Sequence, residues 1–193
     1  MKMYFLPLVL AVMLFACRKD DIKKPDTPAA IEYTDFNNKE IKANQSTRAD
    51  LDKDGAFDIF VYTMLVGDAL LQRDYTRYHI LSSINNYFPV NNEENGPILN
   101  KGDDIAANSF SGYNWYNVTQ LLLAQKVTTM NPPPFWEGAW KDAAHKYLPM
   151  RIQRGENLYY GWIELSFDIT AEKVIMHKAG VSKEAGKAIK AGF

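Results

Sequence analysis

The sequence predicts an all-β chain, with a single antiparallel β-sandwich domain over residues 31–193. Three observations point there. Along residues 159–169, Ile163, Leu165, Phe167 and Ile169 share one face, while Glu164, Ser166 and Asp168 share the other. That period of two belongs to an antiparallel strand with one buried and one wet face. Strand-sized apolar segments are separated by clusters of turn formers, and convincing helix is scarce. Two packed sheets are the arrangement in which such short strands bury their apolar faces.

Taken in order, residues 31–36 are expected as the first strand and residues 37–49 as polar loop. Residues 59–66, rich in β-branched and aromatic side chains and apolar on both faces, read as a central strand. Residues 77–84 follow as a strand, and residues 85–96 carry turn formers that include Asn95-Gly96. Periodicity does not separate a short helix from a strand over residues 118–127. Asn131, Pro132, Pro133 and Pro134 cannot lie inside a sheet, because proline has no N–H for the ladder. Residues 146–153 and 159–169 pair across a turn at Gly155-Glu156-Asn157, and residues 173–178 pair next after Thr170-Ala171-Glu172.

Composition narrows the function. The chain has 22 basic and 23 acidic residues, a formal net charge of −1, and 13% aromatics. Removing residues 1–16 removes Lys2 and no acid, which leaves −2. No basic run exists, so nucleic acid is not an expected partner. The aromatics suit a packed β core. A domain of this size buries about 70% of its unfolded surface without disulfides.

The N-terminal segment speaks to location. Lys2 opens it, an apolar run reaches Phe15 with Pro7 as its only interruption, and the small Ala16 precedes Cys17. The run is shorter than the ~20 residues of a membrane span. Cys17 is the only cysteine. Leu14-Phe15-Ala16-Cys17 resembles the bacterial lipobox, which implies lipidation of Cys17 and removal of residues 1–16. Several acyl chains at about 0.8 kcal/mol per buried methylene make an effectively permanent anchor. Arg18-Lys19-Asp20-Asp21 resembles the export signal of Bacteroidota surface lipoproteins and implies an outer-membrane, cell-surface position. Residues 17–30, with Pro25 and Pro28, form an extended lipidated tether.

One constellation carries chemistry. Asp50, Asp52 and Asp54 alternate, Gly55 permits a sharp turn, and Asp58 follows. These match positions 1, 3, 5, 6 and 9 of an EF-hand loop, with the carbonyl of Ala56 at position 7. Hard oxygen donors at this spacing predict a structural Ca²⁺. Val61 stands where the bidentate glutamate would be, so the loop is not a complete EF-hand. It resembles the shorter calcium loops of dockerins and thrombospondin type 3 repeats. The missing ligand predicts affinity in the range of about 10⁻⁴–10⁻³ M.

A wider resemblance rests on several segments together. Asp50 to Ile59 with the apolar strand behind it, the Leu-x-x-Gly-Asp-x-Ile run from Leu99 to Ile105, the hairpin block Tyr159-Tyr160-Gly161-Trp162-Ile163, and Ala188-Ile189-Lys190-Ala191-Gly192 resemble secreted and lipoprotein β-domains common in Bacteroidota. The resemblance implies a β-sandwich and a location, and no activity. Pro149 departs from it, where a glycine is expected after Tyr147-Leu148, so that strand is expected at an edge or bulged there. Gly161 reads as a place for a neighbouring ring or a bulge, and Trp162 as a packed aromatic.

Trp136 and Trp140, with Trp115, Tyr113 and Tyr116 upstream, concentrate rings in loop-like sequence. They either cap the sandwich or stack on sugars or a protein ligand. His79, His145 and His177 stand apart, without metal-ligand spacing, and read as surface or ordinary strand residues. No catalytic motif is legible. The first expectation is a non-catalytic surface lipoprotein with a calcium-stabilised β-sandwich, in a binding or structural role. The alternatives are a glycan-binding module of a nutrient-uptake system, and a hydrolase with dispersed carboxylates, for which Glu137, Glu164 and Asp168 are the acids near aromatic segments.

Overall fold

The computed structural model describes residues 27–131 and 133–193, so Cys17, its flanking signal residues and Pro132 lie outside the described residues. The described residues form β1 (Ile31–Lys42), β2 (Ser46–Ala49), β3 (Ile59–Asp68), β4 (Arg73–Ser82), β5 (Asn86–Val90), β6 (Asp104–Ile105), β7 (Asn114–Asn117), β8 (Gln120–Thr129), β9 (Phe135–Glu137), β10 (Lys146–Arg154), β11 (Asn157–Asp168), β12 (Lys173–Ser182) and β13 (Ile189–Lys190), with no helix among them. One sheet runs β1-β12-β11-β10-β5-β7, a second runs β2-β3-β4-β8-β9, and β13 pairs with β6 as a short ribbon. The pairings are antiparallel throughout.

The two large sheets pack face to face. Ile59, Val61, Tyr78, Ile80, Leu121 and Leu123 from one meet Leu148, Met150, Ile163, Leu165, Val174 and Met176 from the other in one apolar core. The expected β-sandwich is the observed architecture. Burying each of these larger side chains contributes about 1.5–3 kcal/mol.

Several elements differ from their expected form. The first strand does not end at residue 36 but continues to Lys42, and Ser46–Ala49 forms β2. A bulge between Asp35 and Lys39 makes this possible. Asn37 and Asn38 take left-handed conformations there, with φ of 52° and 55°, which asparagine tolerates better than most residues. β3 is buried at one end and exposed at the other: Ile59 and Val61 are buried, while Leu65, on the same face, is 68% exposed. Of the segment at residues 118–127, all but Val118 and Thr119 resolves as strand, because β8 fills the slot between β4 and β9. Within residues 85–96, Asn86–Val90 is a strand between β10 and β7.

β11 bears the expected alternation on its inner face, where Ile163, Leu165 and Phe167 are buried, although Ile169 lies beyond the strand and is 40% exposed. Its outer face is wet along only part of its length. There Tyr160 and Trp162 join Leu99, Ile105, Tyr147, Ile189 and Ala191 in a second apolar cluster under the β6–β13 ribbon. Three of the four segments that carry the resemblance, all but Asp50 to Ile59, contribute to this cluster. The Trp162 indole lies against Gly180, where a Cβ would come within 2.8 Å of its ring. The glycine that makes room for the ring is thus Gly180, while Gly161 makes room for the Gly180 carbonyl.

Pro149 sits in β10, opposite Trp162 of β11. Two residues earlier, Tyr147 exchanges both backbone hydrogen bonds with Leu99, on the side away from β11. Pro149 turns its nitrogen to that same side, and β5 reaches β10 only at Arg151 and Ile152. The strand is locally an edge where its proline lacks a donor.

Candidate functional site

The acidic loop spans residues 50–58, between β2 and β3. It is closed at its base by Ala49 pairing with Ile59 and by the Asp58 N–H donating to Ala49 O at 2.8 Å. Leu51, fully buried, anchors it to the core. The aspartates then fold the backbone around themselves. Asp50 accepts from the N–H groups of Lys53 and Gly55 at 2.7 and 2.9 Å. Asp52 accepts from Asp54 N–H at 3.2 Å, and Asp54 from Ala56 N–H at 2.8 Å. Such side-chain turns are what aspartate favours in loops. Lys53 and Gly55 take the left-handed conformations this curl demands, with φ of 60° and 93°.

Asp58 is the centre of the site. It is 4% exposed. Its Oδ2 accepts from Leu51 N–H at 2.6 Å and Asp52 N–H at 3.3 Å, and its Oδ1 from Asn86 Nδ2 at 3.0 Å. Burial pushes its carboxyl up to about 6; the Leu51 and Asn86 hydrogen bonds oppose the shift, while the charges of Asp52 and Asp50 add to it. One oxygen from each of Asp50, Asp52 and Asp58 lies within 4.8 Å of the others. Asp54 stays outside this group, contrary to the EF-hand spacing, because its side chain turns back to the Ala56 N–H. Ala56 is exposed on the loop rim.

Two features here were not legible in the sequence. Arg154 of β10 donates from Nε to Asp52 Oδ2 at 2.7 Å, and the Asp52 side chain is 1% exposed. Asn86, at the start of β5, is 3% exposed and holds Asp58 through Nδ2, while its Oδ1 is buried without a hydrogen-bond partner. A cavity of about 590 Å³ is bordered by Asp52, Asp58 and Asn86 together with Ser83 and Ile152. The donor set is oxygen only, which suits a hard cation such as Ca²⁺. The buried Asn86 carbonyl oxygen fits the same class of ligand.

The two tryptophans take part in the packing of the sandwich to different degrees. Trp140 is 2% exposed within the main core. Trp136 packs against it, with its ring 5.1 Å from Phe167 and 5.9 Å from Tyr78. Trp140 is thus enclosed, and Trp136 is half-buried at the margin of the core. The dispersed acids are engaged separately: Glu137 with Gln125, Glu164 with His145, and Asp168 with the N–H groups of Thr170 and Ala171. His145 and His177, apart in sequence, stack on one another with ring centroids 4.2 Å apart.

No family model, no curated protein and no solved structure matches the chain.

Proposed function

We propose that the chain is a lipid-anchored, cell-surface protein of the outer membrane, with a β-sandwich stabilised by one Ca²⁺ in the loop of residues 50–58 and with a binding or structural role. The observation that carries the calcium reading is the convergence of Asp50, Asp52 and Asp58 oxygens within 4.8 Å. The buried, unpartnered Asn86 Oδ1 supports it from a separate strand. Each close carboxylate pair repels by about 1 kcal/mol even in water, and a cation reverses the sign of that interaction. Such an ion ties together the β2–β3 connection and β5, so its effect is on stability. The anchor reading rests on Cys17 and the residues around it.

The test is the melting temperature of the full chain with excess calcium and with chelator. At ten times the dissociation constant, one bound ion adds about 1.4 kcal/mol, a rise of about 3–6 °C for a domain of this size. The rise should vanish in Asp52→Ala. An unchanged melt in the wild-type chain contradicts the calcium reading.

A further inference from the structure

The outer face of the six-stranded sheet is covered at one end by the β6–β13 ribbon and open at the other. On the open part, five residues from four segments come together: Asn38 of β1, His145 ahead of β10, Glu164 and Ser166 of β11, and His177 of β12. His177 Nε2 is 2.7 Å from Ser166 Oγ, and His177 Nδ1 is 2.7 Å from Asn38 Oδ1. Ser166 Oγ also accepts the backbone N–H of His145 at 2.8 Å. The His145 ring lies over His177, and its Nδ1 is 2.7 Å from Glu164 Oε1.

The proton positions follow from these partners. An amide oxygen only accepts, so Asn38 Oδ1 places the proton of neutral His177 on Nδ1. The Nε2 lone pair is then free for the Ser166 hydroxyl. Ser166 Oγ already accepts from His145, so its own proton is available to donate to Nε2. Burial, with the charge of His145, holds His177 below its ordinary value of 6.5 against the opposing pull of Glu164. A neutral imidazole at pH 7 is the form a general base needs.

The backbone departs from regularity to make these contacts. β1 loses register with β12 between Asp35 and Lys39, and β11 loses register with β12 between Glu164 and Leu165. Both breaks fall opposite His177. Buried positions in β12 accordingly switch from Val174 and Met176 to Ala179 and Val181, which leaves His177 and Lys178 together on the outer side. Asn38 and His145 both have positive φ, 55° and 49°. Bulges re-aim side chains and gather near active sites, and backbone strain persists where function holds it. The break between β11 and β12 sets which β12 side chains enter the core and, by the same shift, puts His177 on the outer face beside Ser166.

We propose that Ser166 and His177, with Asn38 as a positioning residue, form an acyl-transfer site for short esters. Ser166 Oγ bonds to the ester carbonyl carbon as its proton passes to His177 Nε2. The bond from that carbon to the alcohol oxygen breaks, and the alcohol leaves with the proton from His177. Water then adds to the acyl-serine, giving a proton to His177; the carboxylic acid departs, and Ser166 Oγ recovers its proton. Asn38 and His145 are exposed, so the site is an open surface rather than an acyl tunnel. That fits a small acyl group, such as acetyl, carried on a larger alcohol. The site shares no residue with the acidic loop, so the two readings stand or fall separately.

The experiment treats the full chain with a fluorophosphonate probe, maps the labelled peptide by mass spectrometry, and follows release from p-nitrophenyl acetate. The expected result is labelling of Ser166 with a rate that rises with pH through a midpoint below 6.5. His177→Gln should slow both reactions by about 10²-fold or more. Asn38→Ala should move the pH midpoint down, because the amide oxygen favours the imidazolium, and Asn38→Asp should move it up. A merely structural asparagine would not move that midpoint. The proposal is overturned if Ser166 in the folded wild-type chain labels no faster than Ser83, or if its labelling rate is unchanged in a folded His177→Gln chain.

Discussion

The acidic loop draws its carboxylates from residues 50–58, between two paired strands, whereas the His177 cluster draws its side chains from β1, β11, β12 and the approach to β10. The loop is organised largely by its own backbone hydrogen bonds, with Leu51 set in the core and Glu32, Arg154 and Asn86 supplying side-chain partners from other strands. The cluster has almost no local organisation and depends on two register breaks falling opposite the same residue. Charge dominates the first region, and bond direction the second. Substitutions should therefore separate them cleanly.

The largest separation is expected from Asp58→Ala. It leaves the Leu51 N–H and the Asn86 amide without their buried partner, at a cost of about 3 kcal/mol. Denaturant unfolding should show that loss together with loss of the calcium response, while Ser166 labelling in the folded chain stays unchanged. Asp58→Asn sharpens the point by removing charge while nearly keeping shape. Its chelated form should be closer to wild type in stability, and it should still fail to respond to calcium.

Arg154→Ala comes next. The guanidinium is partly exposed and the Asp52 side chain is not, so its removal should cost about 1–2 kcal/mol in chelator. With that positive charge gone, calcium should bind more tightly, and the calcium-induced rise in melting temperature should exceed that of wild type.

The two regions should also answer pH in opposite directions. Asp58 has a folded value raised from 3.8 to about 6, so the folded state holds its proton longer than the unfolded chain. In chelator, stability from this group is lost as pH rises from about 4 to about 6. His177 is held below 6.5 in the fold, first by burial, and so is His79 on β4, outside both regions. Their contribution is lost as pH falls below 6.5, because the unfolded chain then binds more protons. Melting curves in chelator should show the first trend flattened by Asp58→Asn and the second reduced by His177→Gln, each by about a few degrees.

The smallest effect belongs to Asp54→Ala. Asp54 is exposed and outside the converging group, so stability should change by less than about 0.5 kcal/mol, with the calcium response intact. Were Asp54→Ala to abolish that response, the EF-hand spacing would describe the loop better than its observed geometry does.

The contrast also explains what the sequence could and could not reveal. The period of two in residues 159–169 forecast the inner face of β11, because a strand's side-chain alternation is local. The aspartate spacing forecast a curled loop for the same reason. The bulge at Asn37 and Asn38 was hidden, since its cause is the pairing of β1 with β12, far along the chain. Trp136 and Trp140 looked loop-like in sequence, yet the core closes over the second and around the first. The histidines looked isolated because their partners are 11 to 139 positions away. A polar pair such as Glu164 and Ser166 on a wet face gave no hint of His177 or Asn38, which reach it only through the register breaks.

A calcium titration of the full chain at pH 7, read by calorimetry, probes the loop most directly. The expected result is one ion per chain with a dissociation constant of about 10⁻⁴–10⁻³ M, lost in Asp58→Asn and retained in Asp54→Ala. No saturable binding up to about ten times that range, in a chain whose melt shows it folded, contradicts a calcium-stabilised loop.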